Sequence, residues 1–362
     1  MHMNVILKDF AVDRSTGERV QSQIEAFLRH QVWSGRIKPG DRLPSTHDLT
    51  KRWAVNLVSV QKAMERLTEW GLFERKTKMG TVVRPLTIGI LPQQDLAQEY
   101  CHYVRALTKA IRCEIESHGW IPLVYDDFVM KMKFDRVEET ANARRLFADL
   151  PVSRFSGLVE VALTQTTCAL LGKRTALPAV HCSQEYRTAD VMNDYYRFAY
   201  EAVEFLAKRG RRTIEIIGFH ENSEEYSAAQ AAAARFDLAT PRTYPYEGDS
   251  TSLQAVCRQA TALVDRWKKE GRIPDALIVS DDIAMRGVAL ALIQKKIHVP
   301  AKLEVVTQAN VDVLIEYGIP VIRYAFTPKR NAEYALDLLW KRIVHEPLPD
   351  RPILLAGKFL ES

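Results

Sequence analysis

The chain has 362 residues, 47% hydrophobic and 26% charged, with a formal net charge of +5 at pH 7. Two or three domains are expected at roughly 100–200 residues each, and the composition excludes a mainly disordered chain. No run of 18 apolar residues is present, which excludes a membrane-spanning helix.

The opening stretch, Met1 to Phe10, has neither a basic region nor a long apolar core, so no secretory signal is expected. Five cysteines (Cys101, Cys113, Cys168, Cys182, Cys257) include no C-x-x-C pair. That spacing favours reduced thiols in a cytoplasm over a disulfide frame or a zinc site. The charge is unevenly placed. Residues 1–85 hold 15 basic and 9 acidic side chains, while the remainder is close to neutral. A cationic module joined to a neutral one points to a polyanion partner.

In chain order, a weak strand is expected over 4–12. Val20, Ile24, Phe27, Leu28 and Val32 then form one stripe of an amphipathic helix, stopped at Gly35. Ser45 caps a short helix from Thr46 to about Trp53. Asn56 caps a third, with Val60, Ala63, Met64 and Leu67 inward. At about 100° per residue this leaves Val58, Gln61, Lys62, Glu65 and Glu69 outward. Two strands, 72–75 and 81–83, follow around a Lys-rich turn. Beyond 86, strands alternate with helices. Strands are expected at 86–91, 121–125, 157–161, 179–181, 213–217, 276–279 and 303–306. Helices are expected at 99–118, 136–149, 195–208, 251–270 and 283–295. Continuous apolar strands between helices imply α/β lobes with parallel sheets, and about 277 residues exceed one comfortable core.

Helix, turn, helix and basic hairpin is the layout of a winged helix-turn-helix that reads double-stranded DNA. Gln61 can bond an adenine edge and Val58 can pack on a thymine methyl. Lys62 and Arg66 reach phosphates. The amides after Ser45 (Thr46, His47) and Asn56 (Leu57, Ser59) suit phosphate oxygens. Lys76 and Lys78, on a turn narrowed by Gly80, suit a wing. Each feature also has a purely structural use: Ser45 and Asn56 cap helices with or without DNA, and Lys-rich hairpins aid solubility.

The run Ser34-Gly35-Arg36-Ile37-Lys38-Pro39-Gly40-Asp41-Arg42-Leu43-Pro44-Ser45, with Leu49, Val60 to Leu67, Gly71 and Gly80 to Val83, resembles the GntR-type DNA-binding domain over about residues 15–85. That family usually begins its recognition helix with Ser-Arg and carries Arg where Gln61 stands. It also commonly has Arg where His47 follows Pro-Ser. The departures at Asn56, Leu57, Gln61 and His47 favour an A·T-leaning half-site over guanine contacts. Residues 86–362 resemble the LacI/GalR effector domain, itself similar to periplasmic sugar-binding proteins. The resemblance rests on 86–91, Asp190 to Asp194, Gly210 to Ile214, Glu247-Gly248-Asp249, Pro274 to Asp282, 299–306 and the terminal 359–362. It implies an α/β protein with an N-terminal winged helix-turn-helix (1–85) and a two-lobed periplasmic-binding-protein-like (type I) α/β domain (86–362) that binds a small molecule and forms a homodimer.

The Arg, aromatic ring and Asp that hold a sugar in that family fall nearest Gln230, Ser250 and Ala309 here. The expected cleft lining is instead Gln93, Asp127, Asp194, Tyr226, Gln230, Asp281, Gln308 and Asn310, with Asp194 and Asp281 equally suited to capping helices. The expectation is a ligand-responsive repressor of a near-palindromic operator, with no cofactor, metal or membrane. The alternatives are a small-molecule binding protein with an accessory head, or a regulator whose second domain only dimerises. An enzyme is disfavoured, because no G-x-G-x-x-G, G-x-x-x-x-G-K-[ST], G-x-S-x-G or H-E-x-x-H is present.

Overall fold

A computed structural model describes residues 6–77, 79–98, 100–134, 136–182 and 189–360. The first three helices are α1 (Val20–Trp33), α2 (Thr46–Trp53) and α3 (Leu57–Glu69), and an antiparallel hairpin, β1 (Phe73–Lys76) and β2 (Gly80–Val83), follows. The apolar stripe of α3 is fully buried, and Ser45 and Asn56 cap α2 and α3 by accepting from the amides of Asp48 and Ser59. The weak leading strand is not formed. Leu7–Asp9 is a 3-10 turn instead, with residues 4 and 5 outside the described ones. Leu7 is wholly buried, its carbonyl accepts from the Trp53 indole at 2.8 Å, and Phe10 packs against Phe27 and Trp53. Those contacts compensate the segment better than an unpaired strand edge would.

Then come β3 (Thr87–Pro92), α4 (His102–Ser117), β4 (Ile121–Val124), β5 (Met130–Lys133), β6 (Arg136–Glu139), α5 (Ala141–Ser153), β7 (Phe155–Val161), α6 (Gln165–Gly172), β8 (Ala179–Cys182) and β9 (Val191–Asn193). The chain continues through α7 (Tyr195–Lys208), β10 (Ile214–Ile217), α8 (Glu224–Arg235), β11 (Arg242–Tyr244), α9 (Leu253–Lys269), β12 (Ala276–Val279), α10 (Ala284–Gln294), β13 (Glu304–Asn310) and β14 (Ile322–Phe326). It ends with α11 (Pro328–Ile343), β15 (Ile353–Leu355) and β16 (Lys358–Phe359). The helix expected over 136–149 is corrected. Its first residues alternate charge with Val137 and close a polar hairpin with β5, so the helix starts only at Ala141. The polar loop at 220–224 leads directly into α8, capped by Ser223, so the Ala-rich tract is helical.

Two six-stranded sheets make two lobes. Lobe 1 has the order β15-β9-β8-β7-β3-β4 and lobe 2 the order β11-β10-β12-β13-β14-β16, parallel throughout except for the β14–β16 pair. β3, β10 and β12 are buried along their whole length, as strands covered on both faces must be. The chain passes between lobes three times: from β9 to α7, from β14 to α11, and from β15 to β16. At these crossings the Asn331 side-chain amide donates to Asn193 Oδ1 at 2.9 Å, and both residues are buried.

The head does not hang on a free linker. Its core and that of lobe 1 form one apolar cluster running from Leu7 through Leu67 to Leu336 and Trp340. At the seam Trp33 lies 4.5 Å from His118, 5.4 Å from Trp340 and 5.9 Å from Trp120, ring centre to ring centre. Burial pushes the His118 pKa below its ordinary value, so the ring stacks in its neutral form. Arg29 adds an ion pair to Glu346 at 3.1 Å and donates to the Val344 carbonyl, while Arg84 donates to the Arg154 carbonyl. Trp33→Ala is expected to cost roughly 2–4 kcal/mol, from lost area and stacking together. Denaturant unfolding followed by head and lobe probes should then split from one transition into two.

Candidate nucleic-acid interface and ligand cleft

On α3, Leu57, Val58, Gln61, Lys62, Glu65, Arg66 and Glu69 are exposed, with Val58 at 57%, while the opposite face is sealed. Ser59 is half-buried and donates its amide to the Asn56 cap at 2.7 Å. The Arg66 guanidinium lies 5.4 Å from the centre of the Trp70 ring, which directs it toward the end of its own helix. At α2, His47 is exposed and Thr46 half-buried. The Ser45 hydroxyl is occupied, donating to Asp48 Oδ2 at 2.6 Å. The Asp48 carboxylate therefore shares the helix start that the sequence reserved for phosphate. At the hairpin, Lys76 is exposed but paired with Glu74 at 2.7 Å. Gly80 has φ +82°, which favours glycine, and the Arg42 guanidinium passes beside it. Lys78 lies outside the described residues. Arg42, within the run that resembles the GntR-type domain, and Arg75 are both exposed; neither was assigned a contact from sequence.

The cleft encloses about 360 Å³ and is lined by both lobes. Lobe 1 contributes Gln94, Tyr103 and the turn Ala162, Leu163 and Thr164. Lobe 2 contributes Ser250, Thr251, Asp281, Asp282, Gln308 and Asn310, and Tyr195 stands at the first crossing. A larger hollow of about 580 Å³ beside α4 is lined by surface charges such as Arg105, Lys109 and Lys329, without convergent buried groups. Of the expected lining, Asp281, Gln308 and Asn310 are in the cleft. Gln93 stands behind it, accepting from the Thr164 amide. Asp127 is exposed, its amide bonded to the Gln94 carbonyl. Neither Gln93 nor Asp127 lines the cleft, Tyr226 and Gln230 are corrected, and Asp194 takes the capping role already allowed for it. Asp194 caps α7 through the Arg197 amide at 2.9 Å. Tyr226 is buried on α8 with its hydroxyl donating to the Pro241 carbonyl. Gln230 is on the exposed side of that helix. An isolated polar residue in an unrecognised helix gave no sign of which face it occupied.

Asp281 does both jobs foreseen for it. It lines the cleft and accepts from the amides of Ile283 and Ala284 at 2.9 and 2.8 Å. Sequence reasoning passed over Asp282 as a cleft residue; it is 6% exposed and accepts from the Asn310 side-chain amide at 3.1 Å. Burial, then the Asp281 carboxylate, push its pKa up to about 7. Gly218 has φ +110°, and a Cβ there would fall 1.9 Å from Ser280 Oγ, so only glycine lets the end of β10 approach Ser280, the residue before the two cleft carboxylates. No lysine or arginine lines the cleft among the described residues.

Residues 20–83 match the family model "Bacterial regulatory proteins, gntR family", and residues 203–360 match "Periplasmic binding protein-like domain". An uncharacterised HTH-type transcriptional regulator of Mycobacterium tuberculosis is 34% identical over 67 residues, which is 18% of this chain and 28% of that protein. The chain therefore spans little more than a quarter of that relative's length. Among solved structures, transcription regulator CcpA of Lactococcus lactis is 17% identical with a TM-score of 0.55, covering 77% of this chain and 98% of that one. The lactose repressor bound to the anti-inducer ONPF is 17% identical with a TM-score of 0.58, covering 76% and 98%. An uncharacterised protein from Actinobacillus succinogenes is 19% identical with a TM-score of 0.56, covering 76% and 97%. These likenesses are of fold: mixed α/β, with the two-lobed periplasmic-binding-protein-like architecture behind the winged head.

Because the folded Asp282 pKa lies above its ordinary 3.8, the native state binds the extra proton between those values, and stability rises as pH falls through that window. Asp282→Asn should remove this gain, which thermal unfolding from pH 8 to 5 would record as a flatter profile than wild type. Gln61→Ala should relax base preference at one position per half-site. Lys62→Ala should weaken all duplexes alike and lower the salt slope by about one. Both are read by binding titrations at several salt concentrations.

Proposed function

We propose that this chain, which joins a GntR-type DNA-binding domain (1–85) to a periplasmic-binding-protein-like domain (86–362), is a sequence-specific transcription regulator. In this reading it is a repressor, and a small molecule in the cleft sets its operator affinity. The observation that carries it is the single apolar core shared by the head and lobe 1. With lobe 1 and the DNA-reading helix as one body, closure of the cleft swings them together relative to lobe 2, and so relative to a dimer partner held there. A homodimer would present two such heads to a near-palindromic duplex. A ligand-dependent change in their spacing worth about 1–3 kcal/mol suffices for regulation.

The cleft chemistry narrows the ligand. Two carboxylates, Asn310, Gln308 and hydroxyls of Ser250 and Thr251 face the space, with no lining cation among the described residues. Such a set favours a ligand rich in donors or carrying a positive charge, and disfavours free carboxylates and phosphates. Selection of bound duplexes from a random pool, repeated with amines, neutral polyols and sugar phosphates, tests the reading. A two-fold symmetric site whose binding shifts with an amine or polyol is expected. Failure to enrich any sequence overturns DNA recognition, and a response confined to sugar phosphates overturns the ligand class.

A further inference from the structure

The proposed regulator leaves one buried cluster unused. Glu160 on β7 and His181 on β8 are register partners on one face of the lobe 1 sheet, and Cys168 on α6 lies over the same face. Glu160 is 8% and His181 5% exposed. His181 Nδ1 is 3.3 Å from Glu160 Oε2 and 3.6 Å from Cys168 Sγ, and the three atoms lie within 4.8 Å of one another.

A Cys–His–carboxylate relay would place the thiol on one ring nitrogen and the carboxylate on the other. Here both converge on Nδ1, and the buried Nε2 has no hydrogen-bond partner among the described residues. Convergence on a point is what a metal ion requires. With bonds of about 2.0–2.1 Å to nitrogen and oxygen and about 2.3 Å to sulfur, a tetrahedral zinc sets N···O and N···S edges at about 3.3 and 3.6 Å. The two observed separations match those edges. Charge points the same way. The only ion-pair partner of Glu160 among the described residues is His181, and a thiolate with a carboxylate would balance a divalent cation. The scaffold is fixed in advance. The His181 amide donates to Asp190 Oδ2, Asp190 is gripped by both Arg342 terminal nitrogens, and Thr167 ties α6 to the Met130 carbonyl.

We infer that Glu160, Cys168 and His181 form a three-ligand site for zinc or a similar borderline divalent cation, with the fourth position left to water or another donor. The site stands independently of the proposed DNA-binding role. It does adjoin the cleft, since the turn from β7 to α6 is the Ala162, Leu163 and Thr164 wall.

The test uses the reduced, chelator-treated full chain titrated with cobalt(II), then with zinc. One equivalent of cobalt should give tetrahedral visible bands and a thiolate charge-transfer band, both displaced by zinc. Cys168→Ser should abolish the charge-transfer band. Glu160→Gln should lower cobalt affinity more than about tenfold while keeping that band at saturation. Cys113→Ser, which removes an exposed thiol, should change neither. Circular dichroism establishes that each variant is folded, and Glu160→Gln keeps the question answerable if Cys168→Ser is not. The absence of a charge-transfer band in wild type leaves only a buried His–Glu pair and overturns the site. A band that survives Cys168→Ser, or one that follows Cys113, overturns it as well.

Discussion

The aromatic seam between head and body is the contact on which the rest depends. Trp33 closes against His118, Trp120 and Trp340, and the apolar cluster on either side of it is continuous. Rings at these separations add stacking to the burial of large apolar surfaces. Burial lowers the His118 pKa despite Glu114 at 3.6 Å, which disfavours a buried charge in the seam. The recognition helix thereby becomes an extension of lobe 1. Without that seam the head would be tied to lobe 1 only through the short Arg84-Pro85 connection.

The second constraint is the triple crossing between lobes. Asn193 and Asn331, from two separate passages, satisfy each other in a buried setting. Such a bond strongly favours one register of the passing segments, because an unpaired amide there would bear the full desolvation penalty. The cleft sits beside this bundle, with one wall from each lobe and Tyr195 at the passage itself. It holds two carboxylates, and burial first, then the neighbouring Asp281, pushes the Asp282 pKa up to about 7.

Much of this was legible in the sequence. The stripe Val60, Ala63, Met64 and Leu67 fixed the orientation of the recognition helix, and the side-chain oxygens of Ser45 and Asn56 fixed where both DNA-facing helices begin. Apolar runs such as Ala276–Val279 marked the buried strands. What escaped has physical causes. The β5–β6 hairpin has only four residues per strand, and of its apolar face only Met130 is buried while Met132 and Val137 are exposed, so its short alternation was overridden by the helix that follows. α8 is an alanine tract whose polarity names no face. The crossing strand β15 is only three residues long, and its partner β9 lies on the far side of lobe 2 in the chain. Asp281, Gln308 and Asn310 were found because they follow closely on the strands expected at 276–279 and 303–306. Tyr103 and Tyr195 were missed because a helical aromatic reads as core. The Glu160–Cys168–His181 cluster was invisible because its ligands come from three elements with no pair spacing.

α11 leaves the second lobe at Pro328 and returns to pack on α4, β7 and β8, bringing Trp340 and Arg342 with it. The body that carries the head is thus assembled from two stretches separated by the whole of lobe 2. A fragment ending at the first crossing would hold the whole three-helix head yet lack the platform it rests on. The smallest excised piece that preserves the aim of the reading helix must splice the tail back onto the front half.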